Sequence, residues 1–456
     1  MPEQEIYYRR RSLAGPIVLI ALGVIFLLGN FHYLTWASIG HYFARYWPVL
    51  IILWGVVKLV EYFVDQSRGV PARGVGVGGY FLLAMLIIFG LAATSSERIN
   101  WGAVQNEMDM DSDFAGFFGN TYTFTANLEE TFPAGNSLHV ASDRGRVTIN
   151  TWDQDKIKVV ISKKLVASDE ADSRKVDQQT QPTITTADNV VTVNANTAGS
   201  VGHAVQSDLE IFVPAKAALD IATRRGDVIV QNRQAEVKLS TSNGDVSAQN
   251  VTGNVIISLR RGSVRASAIK GDVSVDGRVD DATISDVSGT VHLSGDFFGE
   301  MNITKAAKGV TFKSSRTDLE MARLDGDMRM ESGDLRVRSV SGPLRLTTRS
   351  KDIHLEDVSG DVQVDNSNGM VELHAVKPLG AVTINNQKGE VQLTLPAKGN
   401  FQIDARALRG DIDTDFSELK TQSERDYNTA TGSVGSGGPR LQINNTYGNV
   451  GIRKST

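Results

Sequence analysis

Five aspartates, Asp227, Asp245, Asp272, Asp334 and Asp361, each follow a glycine directly. Stacked in a column on one edge of a repeat, such carboxylates would offer Ca²⁺ the oxygen ligands it requires. The nonapeptide Ca²⁺ repeat needs GGxGxD, however, and that string is absent. Gly-Asp is more simply turn chemistry, with glycine supplying positive φ and aspartate bonding local backbone. Arginines also recur, at Arg260, Arg261, Arg265, Arg336, Arg338, Arg345 and Arg349. They have the charge to read an anionic glycan, or else they only keep exposed strand faces soluble. A third candidate is the stretch DFFGEMNITKAAKGVTFKSSRTD, which holds Asp296, Glu300, Lys305 and Lys308 where the periodicity lapses. Polysaccharide lyases and hydrolases built on β-helices gather carboxylates and a base on one groove. These four residues form no recognisable constellation of that kind. The seven histidines include no HExxH spacing, no GxSxG or GxxxxGK[ST] occurs, and there is no cysteine. The expectation is a non-enzymatic protein with no catalytic residues, no metal site and no cofactor, whose ligand-binding residues the sequence does not assign.

The elements that carry these side chains are set by a nine-residue repeat. Gly226, Gly244, Gly253, Gly262, Gly271 and Gly289 differ by multiples of nine, with Ala235 and Asp280 filling the gaps. The count resumes at Gly333, Gly342, Lys351, Gly360 and Gly369, then at Gly380 and Gly389. Two and four residues after these positions come apolar residues, such as Val228 and Val230, Val246 and Ala248, or Val362 and Val364. Spacing by two predicts short strands with one buried face. A third apolar position, two before the glycine, occurs only in alternate units: Val251, Ile269 and Val287, and again Val340, Val358 and Val376. The coil is therefore about 18 residues, two units long. Coils of two strands bury nothing alone and must stack, as in a β-solenoid. Residues 120–220 are expected to cap the stack, with DEADSRKVDQQ as one short helix. Phe416 to Gly438 reads as a loop before the last coil, and Pro439 and Lys454 as residues that discourage end-to-end pairing.

The chain has 456 residues, too many for one compact core. Residues 1–94 carry seven basic and four acidic groups, which leaves 40 basic and 48 acidic groups for the rest. An acidic body lacks the electrostatic footprint of a nucleic-acid binder. Three apolar stretches, about 13–31, 46–64 and 77–94, are each near the ~20 residues that cross a bilayer. Arg9, Arg10, Arg11, Arg68 and Arg73 lie at one set of their ends and only Arg45 and Arg98 at the other. The positive-inside rule then places the N-terminus in the cytoplasm and the C-terminal body outside it. Lys58 and Glu61 read as interfacial charges on the second helix, Lys58 snorkelling to the headgroups.

Two resemblances accompany this reading. GPIVLIALGVIFLLGN and YWPVLIILWGVVKLV, over about residues 15–62, resemble the LiaI/LiaF-like transmembrane region of bacterial envelope proteins. That resemblance implies no catalytic residue and an association with envelope-stress signalling. SNGDV, VSGDVQVDNSNGMVEL and RGRVTINTWDQD, over about residues 130–454, resemble the adhesin-type β-strand-repeat family of bacterial envelope proteins. It implies the solenoid fold; the adhesin label is itself an inference and transfers no binding residue.

The fold class expected is an all-β parallel β-solenoid preceded by an α-helical membrane domain of three transmembrane helices. The divisions are a membrane domain at 1–94, a linker at 95–120 and a solenoid domain at 121–456, comprising a capping region at 121–220 and regular repeats at 222–453. The expected protein is multi-pass in the bacterial cytoplasmic membrane and presents the solenoid in the periplasm or outside the cell, for adhesion or envelope scaffolding. Envelope-stress regulation through the membrane helices is the alternative, and a polysaccharide-active enzyme ranks below both. Expected partners are the lipid bilayer and an envelope glycan or surface protein, or a membrane sensor kinase on the alternative reading, with no nucleic acid.

Overall fold

The structure, a computed structural model, describes residues 120–197 and 204–455, together with residues 46–49, 51–52, 55 and 87. The first expected transmembrane helix lies outside the described residues, and of the second and third only residues 46–49, 51–52, 55 and 87 lie within them, all helical. Among the described residues no helix is long and apolar enough to cross a membrane. The chain divides into two compact units, Met1–Thr123 with Lys164–Gln179 and Ser200–Val205, and Phe124–Lys163 with Thr180–Gly199 and Gln206–Thr456. Within the first, the helix Glu170–Gln179 starts on Asp169, whose carboxylate accepts the Asp172 amide at 2.8 Å. Arg174 pairs with Glu170 one turn back at 2.6 Å.

The second unit is the solenoid. Its strands alternate between two faces, called front and back below. On the front face Val237, Val255, Val273 and Val291 stand in register; on the back face Val246, Val264 and Ala282 do. Each step is the 18-residue coil read from the sequence. The apolar residues of the repeat point inward from both faces into a single core, with Val237, Ile257, Ala248 and Val275 fully buried. The polar residues between them face outward, as period-two alternation requires.

Back-face strands carry a kink that explains the third apolar position. Asn232, Asn250, Ala268, Asp286 and Lys305 have φ of 57, 54, 55, 54 and 55°. One left-handed residue shifts the alternation, so that Val251, Ile269 and Val287 turn inward again. Asn and Asp tolerate this region, and Asn250 Nδ2 donates to Asn232 Oδ1 at 2.7 Å, coil to coil. Ala268 has neither advantage. Ala268→Asn is therefore expected to stabilise the solenoid by about 0.5–1 kcal/mol, read as a rise in denaturation midpoint. Val376 departs from the expectation: Ala375 is the buried residue there, in register with Val358, and Val376 is half-buried. Two extra residues between Gly360 and Gly380 shift the register of that coil.

The expected all-parallel stack is corrected at the lapse in periodicity. After the front strand Val310–Lys313 the chain does not cross to the back face but turns on Ser314–Arg316 and returns as Thr317–Met321, antiparallel. Ser314 fixes the turn, its amide bonding Thr317 O at 2.9 Å and its hydroxyl accepting the Thr317 amide at 3.1 Å. Leu324–Met330 then pairs antiparallel with Met301–Ala306 on the back face, and a second hairpin leads into Asp334–Ser341. The two reversals cancel, and the parallel stack resumes with Leu335 on Ile353 and Leu344 on Val362. Lys351, the exception to the glycine series, has a reason here. It is 7% exposed and donates to the carbonyls of Glu331 and Ser332 in the second hairpin. Burial lowers its pKa, against the opposing pull of Asp334 and Glu331.

The last coil is not at the end. Arg440–Tyr447 lies between Val371–Lys388 and Phe401–Arg409, and Val450–Ser455 between Val391–Pro396 and Ile412–Thr414. Pro439 and Lys454 thus belong to an inserted coil and do not guard an edge. Phe416 to Gly438 is likewise not a plain loop: Asn428–Val434 pairs antiparallel with Phe401–Arg409, and Lys420–Ser423 pairs onto it. Its Ser, Thr and Gly residues lie on strands because a last hairpin must cover the exposed rim of Phe401–Arg409.

Candidate binding edge

Along one edge, the inward position at the C-terminal ends of the front strands is, Leu259 apart, polar or bare where the rest of the core is apolar. Thr223, Thr241, Leu259, Gly277 and Gly295 follow one another in register. Beyond the hairpin come Thr317, Thr348, Asn366, Asn386 and Asn445. Thr317 and Thr348 share a hydroxyl hydrogen bond at 2.9 Å. The three buried asparagines serve the turns: Asn386 Nδ2 donates to Gly369 O and Gly389 O, and Asn445 Nδ2 to Gly389 O and Gly448 O, at 2.8–3.3 Å. Buried amides stay only where the backbone gives them partners, and here they tie successive turns together.

Two open grooves flank the Ser314–Arg316 turn on this edge. One, of about 490 Å³, runs over Gly277 and Gly295 between Arg260, Arg278 and Lys313. Its floor requires glycine because the coils meet there backbone to backbone: a Cβ on Gly277 would stand 1.8 Å from Leu259 O, and one on Gly295 2.0 Å from Gly277 O. The other, of about 440 Å³, is lined by Arg316, Arg349, Asp318, Asp365 and a run of Ser, Thr and Asn. Beside it Asn385 Nδ2 donates to Asp365 at 2.7 Å and Asn444 Nδ2 to Asn385 at 2.9 Å, an outward ladder of amides.

The arginines singled out by sequence divide between two surroundings. Arg336 and Arg338 stand on the back face, held by Asp334 at 3.1 Å and Asp327 at 2.9 Å. The Asp327 carboxylate raises the Arg338 pKa. Arg260 and Arg349 reach the grooves, where Arg278, Lys313 and Arg316, not singled out from sequence, join them. Of these five cations only Arg278 has a carboxylate within 4.0 Å among the described residues, Asp296 at 3.9 Å. Arg261 follows Arg260 in the turn, and Arg265 and Arg345 lie on outward strand positions away from both grooves. Gly277 and Gly295, 18 apart and out of phase with the turn glycines, were the sequence signal that the edge opens here.

The four residues of the lapsed stretch are not brought together. Asp296 lies in the first groove; Glu300 pairs with Arg329 at 2.9 Å on the back face; Lys305 reaches Asp286 at 3.8 Å; and Lys308 bonds Gly289 O through its backbone amide.

The aspartates do not form the one column expected: Asp227 and Asp245 precede back-face strands and Asp272 and Asp361 front-face strands, on opposite edges, and each has a use within the fold. Asp227 accepts the Asp245 amide at 3.1 Å, Asp245 that of Ser263, Asp272 that of Thr290 and Asp361 that of Ala381, the last three at 2.8 Å. Each carboxylate thus bonds the turn of the next coil, not its own. Asp334 differs, being in a strand against Arg336. Among the described residues no group of three His, Asp or Glu stands close enough to hold a metal ion. Asp245→Ala is expected to cost about 1 kcal/mol, and Asp245→Asn much less, because Asn254 does the same for the Asp272 amide at 3.0 Å. Ca²⁺ and chelator should leave both melting curves unmoved.

Register, repeat and core define a β-solenoid of mostly parallel strands. The chain belongs to the Toastrack DUF4097 family, whose model matches residues 136–337 and again 276–453. The LiaF transmembrane domain model matches residues 14–103. Together they describe a membrane-anchored protein of the bacterial envelope type. No curated protein matches the chain. Among solved structures, a candidate cell adhesion protein from Clostridium sporogenes ATCC 15579 is 11% identical, covering 73% of this chain and 100% of that one, with a TM-score of 0.16. A candidate adhesin from Bacteroides fragilis NCTC 9343 is 9% identical, covering 73% and 97%, with a TM-score of 0.21. Superpositions at these scores establish neither a common fold nor a common function.

Proposed function

We propose that this protein is a non-enzymatic adhesion or scaffolding element of the bacterial envelope. Residues 1–94 form a three-helix anchor with the N-terminus in the cytoplasm, residues 95–120 link it, and residues 121–456 present the solenoid in the periplasm or outside the cell. The observation that carries the reading is the polar, cationic edge, a surface suited to holding a ligand without reacting with it. The lipid bilayer is one partner; an envelope glycan or surface protein is the other.

The test uses the full chain in nanodiscs against immobilised envelope material of the source bacterium. Retention by the full chain, and none by residues 1–119 alone, is expected; equal retention of the two contradicts the reading. The LiaF-type domain favours a second reading, in which the membrane helices contact a sensor kinase and the solenoid reports on envelope stress. In that case cross-linkers placed within residues 1–94 would trap a membrane kinase in cells, and loss of the chain would change the stress response.

A further inference from the structure

We infer that the two edge grooves form one binding track for an acidic polysaccharide, an extended hydroxyl-rich chain bearing acid groups. This rests on the adhesion or scaffolding reading and names the ligand class of its surface. Five cations, Arg260, Arg278, Lys313, Arg316 and Arg349, follow one another along this edge, and four of them make no ion pair among the described residues. Elsewhere on the solenoid many arginines are matched to carboxylates, as at Arg146, Arg323, Arg329, Arg336, Arg338, Arg440 and Arg453, while Arg261, Arg265 and Arg345 are scattered singly and line neither groove. Unmatched guanidinium groups in a row are set for bidentate contact with carboxylate or phosphate.

The rest of the lining selects the backbone of that polymer. Between the cations stand Ser294, Ser314, Ser315, Thr347, Asn385 and Asn444, donors and acceptors suited to hydroxyl groups, and the carboxylates Asp296, Asp318 and Asp365, which accept from hydroxyls and leave the excess positive charge in the first groove. No aromatic ring lines either groove, so bases of a single-stranded nucleic acid find no stacking platform. Leu259 is the one large apolar residue in the lining and is buried, so nothing there would insert into lipid. Coils about 4.8 Å apart repeat the pattern along the edge, which favours a chain over a single small ligand.

The experiment measures binding of the full chain in nanodiscs to polygalacturonate, poly(glycerol phosphate), dextran and poly(dT). Binding to one of the two acidic hydroxyl-rich polymers, weakening steeply as salt is raised, is expected; the tighter of the two tells whether carboxylate or phosphate is the acid recognised. The variant Arg260→Ser/Lys313→Ser/Arg316→Ser/Arg349→Ser should lose about tenfold or more of that affinity, with an unchanged melting curve because all four side chains are exposed. Arg336→Ser, on the paired back face, should change it less than about twofold. Dextran or poly(dT) binding as tightly, or a quadruple variant binding like the unaltered chain, overturns the inference. If that quadruple variant still adheres to envelope material, the groove fails while the adhesion reading stands; if the unaltered chain adheres to none, the adhesion reading itself has failed.

Discussion

Gly244→Ala should destabilise the solenoid by about 3 kcal/mol or more, far beyond an ordinary glycine replacement. Gly244 has φ +144°, and a Cβ there would stand 2.3 Å from Gly226 O in the preceding coil. The same contact recurs at Gly226 on Gly145 and at Gly262 on Gly244, so the turns stack backbone on backbone with no space for a methyl group. Relief would require separating coils whose strands are hydrogen-bonded on both faces. Two controls divide the effect. Gly135 has φ +87° with nothing within 4 Å of the added Cβ, so Gly135→Ala carries the backbone cost alone, about 1 kcal/mol. Gly333→Ala has neither the positive φ nor a neighbour and should be near neutral. Urea denaturation of the full chain in detergent, followed by far-ultraviolet circular dichroism, gives the order; equal losses at Gly135 and Gly244 would show that stacking contributes nothing.

Arg233→Ala should cost a similar amount, about 3 kcal/mol, by a different route. Arg233 stands in register with Val251, at the third apolar position of its coil, yet it is 1% exposed. Its guanidinium donates to Val213 O at 3.3 Å, Pro214 O at 2.7 Å, Ala217 O at 2.7 Å and Thr151 Oγ1 at 3.1 Å. Among the described residues no carboxylate accompanies it; carbonyl dipoles from the Val213–Ala217 turn solvate the charge. Truncation strands these acceptors in the core, and Arg233→Leu, though it restores the apolar pattern of Val251, should fail nearly as badly. Burial pushes the Arg233 pKa down to about 10, so it remains charged at neutral pH. Above about pH 10, until the unfolded guanidinium also loses its proton, the unfolded chain holds more protons than the folded one, so this group's contribution rises with pH there and is flat below. A stability-versus-pH comparison of the unaltered chain with Arg233→Leu should diverge in that window only.

Much of this fold was legible because the solenoid writes its coil length into the sequence. The nine-residue glycine spacing and the Val and Ile pairs two residues apart led directly to the 18-residue register seen at Val237, Val255 and Val273. What escaped was decided by non-local pairing. Nothing in KSSRTD distinguishes a turn that crosses to the other face from one that doubles back, so the antiparallel coil was read only as a lapse. The inserted last coil was equally hidden, since PRLQINNTYGNV reads as one more unit wherever it is placed. Lys351 and Arg233 both broke the repeat pattern, and both proved to be buried cations holding backbone carbonyls. The binding edge was half visible: Arg260 and Arg349 were noted, but Arg278, Lys313 and Arg316 join them only when coils far apart in sequence come to one edge.

The central claim is that a membrane anchor holds the solenoid outside the cytoplasm, and topology tests it most directly. A reporter active only outside the cytoplasm and a cytoplasmic reporter are fused in turn after Thr456. Activity of the first alone is the expected result. Activity of the second alone would place the solenoid inside the cell, contradict the adhesion and scaffolding account, and leave an intracellular regulator in its place.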